Sequence, residues 1–360
     1  MMKTPFLDAM GEALALMKKS NLAEATALLR KTLPGGGSLV RPNAPSRPER
    51  ASLGEVLRAL RTGRATRFKT PYAPEEAPAH PPDDRFTSRS YSGPAGSLNY
   101  RLYVPDDHAS RNLGLLLMLH GCTQNPDDFA VGTQMNALAE EFGLIVAYPH
   151  QPKTANASGC WNWFDKRHQH RGAGEPAKLA GLARNLAEEF RIPRERTFAA
   201  GLSAGGAMAE ILAKTYPDVF DAVGIHSGLP YKAATDVPSA FAAMKGAVLG
   251  EAALRVAADI ECRRIVVHGG ADATVHPVNA ERILDPIRGR SFQAIETESE
   301  IDGRRVERVV LQDAAGRPVV ESWFVEGGGH AWFGGDSRGT YTQSVGLDAS
   351  RQMVRFFLHR

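Results

Sequence analysis

Beyond residue 97 the chain alternates short apolar runs with stretches of helical periodicity. Residues 98–104 alternate apolar and polar, as a half-buried strand does. Residues 115–119, 144–148, 197–200, 222–225 and 265–267 are instead continuously apolar. Between these runs, helices are predicted over 127–142, 176–190, 205–216, 238–258 and 278–287. Strands apolar on both faces, alternating with helices, predict an α/β fold: a mainly parallel sheet flanked by helices on both sides. Residues 306–311 and 319–324, separated by Ala315-Gly316, predict a hairpin, and a last helix is predicted over 347–358.

The first part of the chain reads differently. Two short helices are predicted within residues 5–33, the first capped by Thr4 with Pro5 in its first turn, the second opening at Asn21 and Glu24. Ser52 and Glu55 resemble a capping box for a third helix ending near Arg64. Pro34 with Gly35 to Gly37, the Pro-rich stretch 41–50 and the richer one at 71–82 have linker composition. The organisation expected is therefore a helical, basic, Pro-rich extension over 1–90 and an α/β domain over 91–360, with helices packed on the main domain as the plainer reading.

Charge sharpens that division. The chain of 360 residues carries net +3, but residues 1–72 hold thirteen Lys/Arg against five Asp/Glu. A basic arm on an acidic body suggests docking to an anionic surface or to the body itself; without aromatic interleaving it does not indicate nucleic acid. With 43% hydrophobic and 23% charged residues, the composition excludes collagen-like and low-complexity classes. No apolar run approaches the roughly 20 residues of a membrane span. Asp8 and Glu12 interrupt the apolar start and its lysines follow it, unlike a secretory signal, and cysteines number only three. These features lead to a cytoplasmic expectation.

The sharpest chemical feature is Gly201-Leu202-Ser203-Ala204-Gly205, directly after a predicted strand and before a predicted helix. Small neighbours let the chain bend sharply enough to expose the Ser203 hydroxyl, and the following helix points its positive end there. A serine nucleophile needs a base, and the base needs a carboxylate to hold its tautomer. Residues 265–272 form a strand emptying through Gly269 and Gly270 onto Asp272, the expected acid. Residues 324–330 repeat that layout through Gly327, Gly328 and Gly329 onto His330, the expected base, with His268, His276 and His359 as competitors. The oxyanion donors expected are the N–H of Ala204 and, from the loop after residues 115–119, that of Cys122. No metal or cofactor is required; His168 and His170, spaced like ligands, lack a further ligand cluster nearby.

These residues resemble the polyhydroxybutyrate depolymerase family of α/β-hydrolase esterases, close to the feruloyl and acetylxylan esterases. The segments are LHGCTQNPDDFA (119–130), GCWNWFD (159–165), RGAGEPA (171–177), GLSAGGAMA (201–209), HGGADATVHPVNA (268–280) and GGGHAWFGGD (327–336). The resemblance covers about residues 95–360. It implies acyl transfer by Ser203, Asp272 and His330, with Ala204 and Cys122 at the oxyanion. It also implies a disulfide between Cys122 and Cys160, as in secreted relatives, or a reduced pair close in space. Trp161, Trp163, Phe164 and Trp332 flank the expected cleft and are candidates to bind an ester polymer or aromatic acyl group, or else pack the loops. The expected substrate is poly(3-hydroxybutyrate) or its oligomers, with a feruloyl or acetyl ester of plant polysaccharide second. The basic extension is a candidate contact for a polymer granule surface. A non-catalytic binding protein of the same fold is the reading from another class.

Overall fold

A computed structural model describes residues 84–106, 108–110, 112–247, 262–288 and 292–359. The helices expected within 5–64, the Pro-rich linkers and the latter part of the helix expected over 238–258 lie outside the described residues.

In chain order the elements are β1 (Phe86–Gly93), β2 (Gly96–Tyr103), β3 (Gly114–Leu119), α1 (Pro126–Thr133), α2 (Met135–Phe142), β4 (Leu144–Pro149), α3 (Gly174–Glu189), β5 (Thr197–Leu202), α4 (Ala204–Thr215), β6 (Ala222–His226), α5 (Val237–Met244), β7 (Arg263–Gly269), α6 (Val278–Arg288), β8 (Gln293–Ile301), β9 (Arg304–Gln312), β10 (Pro318–Val325), β11 (Trp332–Phe333), β12 (Thr342–Gln343) and α7 (Ala349–Phe357). The main sheet runs β1-β2-β4-β3-β5-β6-β7-β10-β9-β8. Its centre, from β4 through β10, is parallel, and antiparallel hairpins finish both edges.

The continuous apolar runs are the strands buried on both faces. On β3, Leu115, Leu117 and Leu119 join Leu179, Leu182 and Leu186 of α3 in one core, while Leu116 and Met118 join Phe129, Leu138, Phe356 and Phe357 in the other. Period-two alternation of the side chains separates these layers. No helix among the described residues is long and apolar enough to cross a membrane.

Four expectations change. The helix predicted over 238–258 stops at Met244, where Gly246 takes a left-handed conformation (φ 78°) and returns its N–H to Ala243. The single helix predicted over 127–142 is two, because Gln134 takes a left-handed conformation (φ 53°) and returns its N–H to Ala130 and Val131. Strand β1 crosses the boundary expected at residue 90 and belongs to the sheet. Strand β8 was not expected, since its residues are almost all exposed and no apolar face marks it; ladder pairing to β9 makes it a strand.

Ion pairs fix the strands that carry the loops described next. Arg264 of β7 pairs with Glu210 of α4 at 2.8 Å, both side chains being buried. Removing one member of such a pair leaves an uncompensated buried charge. Glu210→Gln is therefore expected to destabilise the fold by about 3–5 kcal/mol, read as a lowered urea midpoint; a midpoint equal to the parent's would show that the pair carries no stability.

Candidate active site

Ends of parallel strands gather the chemistry. Ser203 follows β5, Asp272 lies in the turn after β7, and His330 lies beyond β10, so all three loops leave the same edge of the sheet. Ser203 stands at φ 57°, ψ −115° between β5 and α4, with its N–H bonded to the His226 carbonyl at 2.9 Å. A positive φ is unusual for a residue with a side chain and marks a strained turn. The flanking glycines are sterically required. A Cβ on Gly205 would overlap the Leu119 carbonyl, and one on Gly201 would come 2.6 Å from the same oxygen.

Asp272 and His330 are joined. His330 Nδ1 donates to Asp272 Oδ2 at 2.7 Å, while Asp272 Oδ1 accepts the N–H groups of Thr274 at 2.9 Å and Val275 at 2.8 Å. Burial pushes the Asp272 pKa upward, but the hydrogen bond and charge of His330, helped by the Val275 amide, hold it below the ordinary carboxylate value. The ionised Asp272 thus leaves His330 Nε2 as the atom able to take a proton. Among the described residues, no hydrogen bond joins the partly exposed Ser203 hydroxyl to His330; catalytic hydrogen bonds of this kind commonly close only when substrate arrives.

The competing histidines are occupied elsewhere. His268 is buried beneath Asp272, with Nε2 on the Val275 carbonyl at 2.9 Å and 3.5 Å from Asp272 Oδ2. His276 Nδ1 accepts the Val278 N–H, and His359 lies against Arg317. His168 Nδ1 accepts the Glu175 N–H in the first turn of α3 at 2.9 Å.

Opposite Ser203, the loop after β3 is locked amide by amide. Gly121 N–H donates to Gln124 Oε1 at 2.9 Å and Thr123 N–H to the Ser158 carbonyl at 2.8 Å; between them, among the described residues, Cys122 N–H has no partner. Ala204 is the first residue of α4, where an N–H has no intrahelical acceptor. His120 is buried and accepts the Gln151 N–H at Nε2, so Nδ1 carries the proton and donates to the Gly121 carbonyl at 2.8 Å. That carbonyl shares its peptide unit with the Cys122 N–H, which the bond polarises toward stronger donation. Burial, only partly opposed by the bond to Gly121, pushes the His120 pKa down to about 4, keeping the ring neutral.

Cys122 and Cys160 form a disulfide that ties this loop to the one carrying Trp161 and Trp163. Cys262 is free and buried, and burial pushes its thiol up to about 12. Glu175, which lies in the segment 171–177 but was not singled out there, holds the same loop through Asn162 N–H at 2.8 Å and Asn162 Nδ2 at 2.6 Å.

The tryptophans require a correction. Trp161, Trp163 and Trp332 are 2%, 5% and 1% exposed and cannot form an open platform. Trp161 Nε1 donates to the His120 carbonyl, and Trp332 stacks on His226 and donates to Ser350. They brace the loops from below: the Trp161 and Trp332 indoles each find an apolar slot and a hydrogen-bond acceptor there, while Trp163 packs edge-on against Phe164. Phe164 is half-buried, edge-on to Trp163. The exposed ring beside His330 is Tyr341, which stands in no recognisable motif; its only sequence signal was an aromatic in a polar loop just after His330.

Residues 98–306 match the family described as Esterase PHB depolymerase. The chain is 29% identical over 246 residues to poly(3-hydroxyalkanoate) depolymerase C of Paucimonas lemoignei, spanning 65% of this chain and 58% of that protein. It is 31% identical over 140 residues to probable acetylxylan esterase A of Aspergillus fumigatus, spanning 39% and 36%. The chain thus covers less than two thirds of the length of these relatives. Among solved structures, an acetyl xylan esterase from Aspergillus awamori aligns with TM-score 0.58 at 19% identity, over 76% of this chain and 100% of that one. That likeness shows a shared α/β-hydrolase fold. With the family match running over more than half of its length, the chain belongs to the esterase PHB depolymerase family.

Proposed function

We propose that this chain is a serine esterase that hydrolyses carboxylic esters through an acyl-enzyme. The observation that carries the reading is the 2.7 Å bond from His330 Nδ1 to buried Asp272, on the sheet edge that also presents Ser203 on its strained turn. His330 Nε2 takes the Ser203 proton as Oγ bonds to the ester carbonyl carbon. The carbonyl electron pair moves onto oxygen, facing the N–H groups of Ala204 and Cys122. Collapse of this tetrahedral anion breaks the bond to the leaving oxygen, which receives the proton from His330. Water then repeats the sequence on the acyl-enzyme and frees the acid.

For substrate, poly(3-hydroxybutyrate) or its oligomers is favoured by the relative named as a poly(3-hydroxyalkanoate) depolymerase. An acetyl ester of xylan is the second reading, favoured by the relatives named as acetylxylan esterases. The excess of basic residues over 1–72 supports docking to an anionic polymer granule surface; granule binding that is indifferent to salt of about 0.5 M would remove that role. The disulfide favours an oxidising compartment over the cytoplasm.

Release of 3-hydroxybutyrate from amorphous polymer, with Ser203→Ala alongside, tests nucleophile and substrate together. Loss of Ser203 is expected to lower turnover on the order of a millionfold, and a variant retaining a few per cent of activity would contradict the assignment. Cleavage of simple esters without polymer hydrolysis would leave the serine mechanism standing and move the substrate to acetyl esters.

The neutral His120 makes a separate, pH-dependent statement. In the unfolded chain it binds a proton near 6.5, whereas the fold withholds the proton until about 4. Its contribution to stability is therefore complete above the higher value and lost as pH falls through the lower. The loss amounts to about 3 kcal/mol. His226, buried and also held well below the ordinary histidine value, acts in the same sense. Urea midpoints are expected to fall between pH 6.5 and 4, less steeply in His120→Gln; identical slopes would refute the neutral, buried assignment.

A further inference from the structure

Tyr341 is 48% exposed and has its ring centroid 6.5 Å from that of His330, nearly perpendicular to it. Its hydroxyl lies 3.3 Å from Thr123 Oγ1. Thr123 already donates to the Cys122 carbonyl at 2.6 Å, so Tyr341 is the donor in that contact. The ring thus stands between the proposed base and the loop that offers the Cys122 amide.

Its position is enforced. Tyr341 has φ 51°, a left-handed conformation that a bulky residue rarely adopts without compensation. The neighbouring Thr340 supplies it: its N–H and hydroxyl donate to the two carboxylate oxygens of buried Asp128, at 2.8 and 2.5 Å. The Thr340 carbonyl accepts from Gln124 Nε2 at 2.9 Å. Gln124 Oε1 receives the Gly121 N–H, so one buried amide side chain sets the spacing between the oxyanion loop and the segment carrying Tyr341. From the other side, Trp332 N–H donates to the Tyr341 carbonyl at 2.7 Å. An exposed aromatic ring in a strained backbone, held by hydrogen bonds on both flanks, has no packing role that would explain the constraint.

Resting on the reading of Ser203 and His330 as the reacting pair, we propose that Tyr341 is the specificity-determining wall for the alcohol portion of the ester. The base that takes the Ser203 proton later delivers it to the leaving oxygen, so that oxygen must face His330. Whatever carbon skeleton follows it then lies against the adjacent ring. The ring face is apolar and its hydroxyl is committed to Thr123. The site accordingly favours alcohols with an apolar body, aliphatic or aromatic, over small ones.

Methyl acetate and benzyl acetate share an acyl group and have alcohols of similar basicity, so they isolate this contact. Three proteins suffice: the parent, Tyr341→Phe and Tyr341→Asn. Asparagine tolerates the left-handed backbone yet lacks the ring. Hydrolysis followed by pH-stat is expected to show KM for benzyl acetate raised about 10-fold in Tyr341→Asn, with kcat unchanged and methyl acetate unaffected, while Tyr341→Phe tracks the parent. This pattern is loss of binding rather than of chemistry. An equal loss on both esters, or a fall in kcat alone, would assign the ring to holding His330 and overturn the proposal. No change on either ester overturns it as well. Fluorophosphonate labelling of Ser203 separates the two levels: a parent that labels while Tyr341→Asn behaves like it refutes the wall alone. A parent that neither labels nor cleaves refutes the serine mechanism and the wall together.

Discussion

The close approach of the turn at Ser203 to the end of β3 is the constraint on which the rest of the site depends. Gly201 and Gly205 leave no room for a side chain because the Leu119 carbonyl fills the space. That contact sets the elbow directly against the loop that begins at His120, and a Cβ on Gly121 would come 3.7 Å from the Ser203 Cβ. The proposed nucleophile and oxyanion donors therefore follow two strands, β5 and β3, that are hydrogen-bonded neighbours. The strain at Ser203 is tolerated because β5 and β6 hold it from one side and α4 from the other.

Buried charge performs a similar positioning task one layer away. Asp221, at the start of β6, binds Arg263 at 2.6 Å and also meets Arg194 and Arg317. Arg264 binds Glu210, and Glu321 meets Arg308 and Arg355. These groups link β6, β7, α4 and β10; Ser203 stands at the start of α4, and Asp272 and His330 lie in the loops after β7 and β10. Such pairs add little net stability against an apolar alternative, but each is costly to break singly, which favours one registration of strands and helices.

Ser203, Asp272 and His330 sit on glycine-rich turns, and polar side chains that the sequence did not single out arrange them. Gln124, Asp128 and Thr340 connect residues more than two hundred positions apart; Glu175 and Asn162 brace the loop after the disulfide. His120 and His226 are buried and neutral, used as fixed hydrogen-bonding parts: each accepts a backbone N–H at Nε2, from Gln151 and from Phe333.

By itself the sequence determined the parallel centre of the sheet, because strands buried on both faces must be continuously apolar, and 115–119 or 144–148 admit little else. It also marked Ser203, Asp272 and His330, since a sharp turn needs small residues beside each reactive group and those patterns are local. The polar edge strand β8 and the break at Gln134 were invisible, one formed by backbone pairing and the other placed on a glutamine that takes the left-handed conformation itself. The fate of the aromatics was likewise a tertiary decision. Trp161, Trp163 and Trp332 carry the composition of a binding platform, yet neighbours from distant parts of the chain enclose them, while Tyr341, unmarked in sequence, is left facing solvent beside His330. Periodicity and turn chemistry are written within a few residues; which ring is covered and which is presented depends on contacts that exist only once the chain has folded.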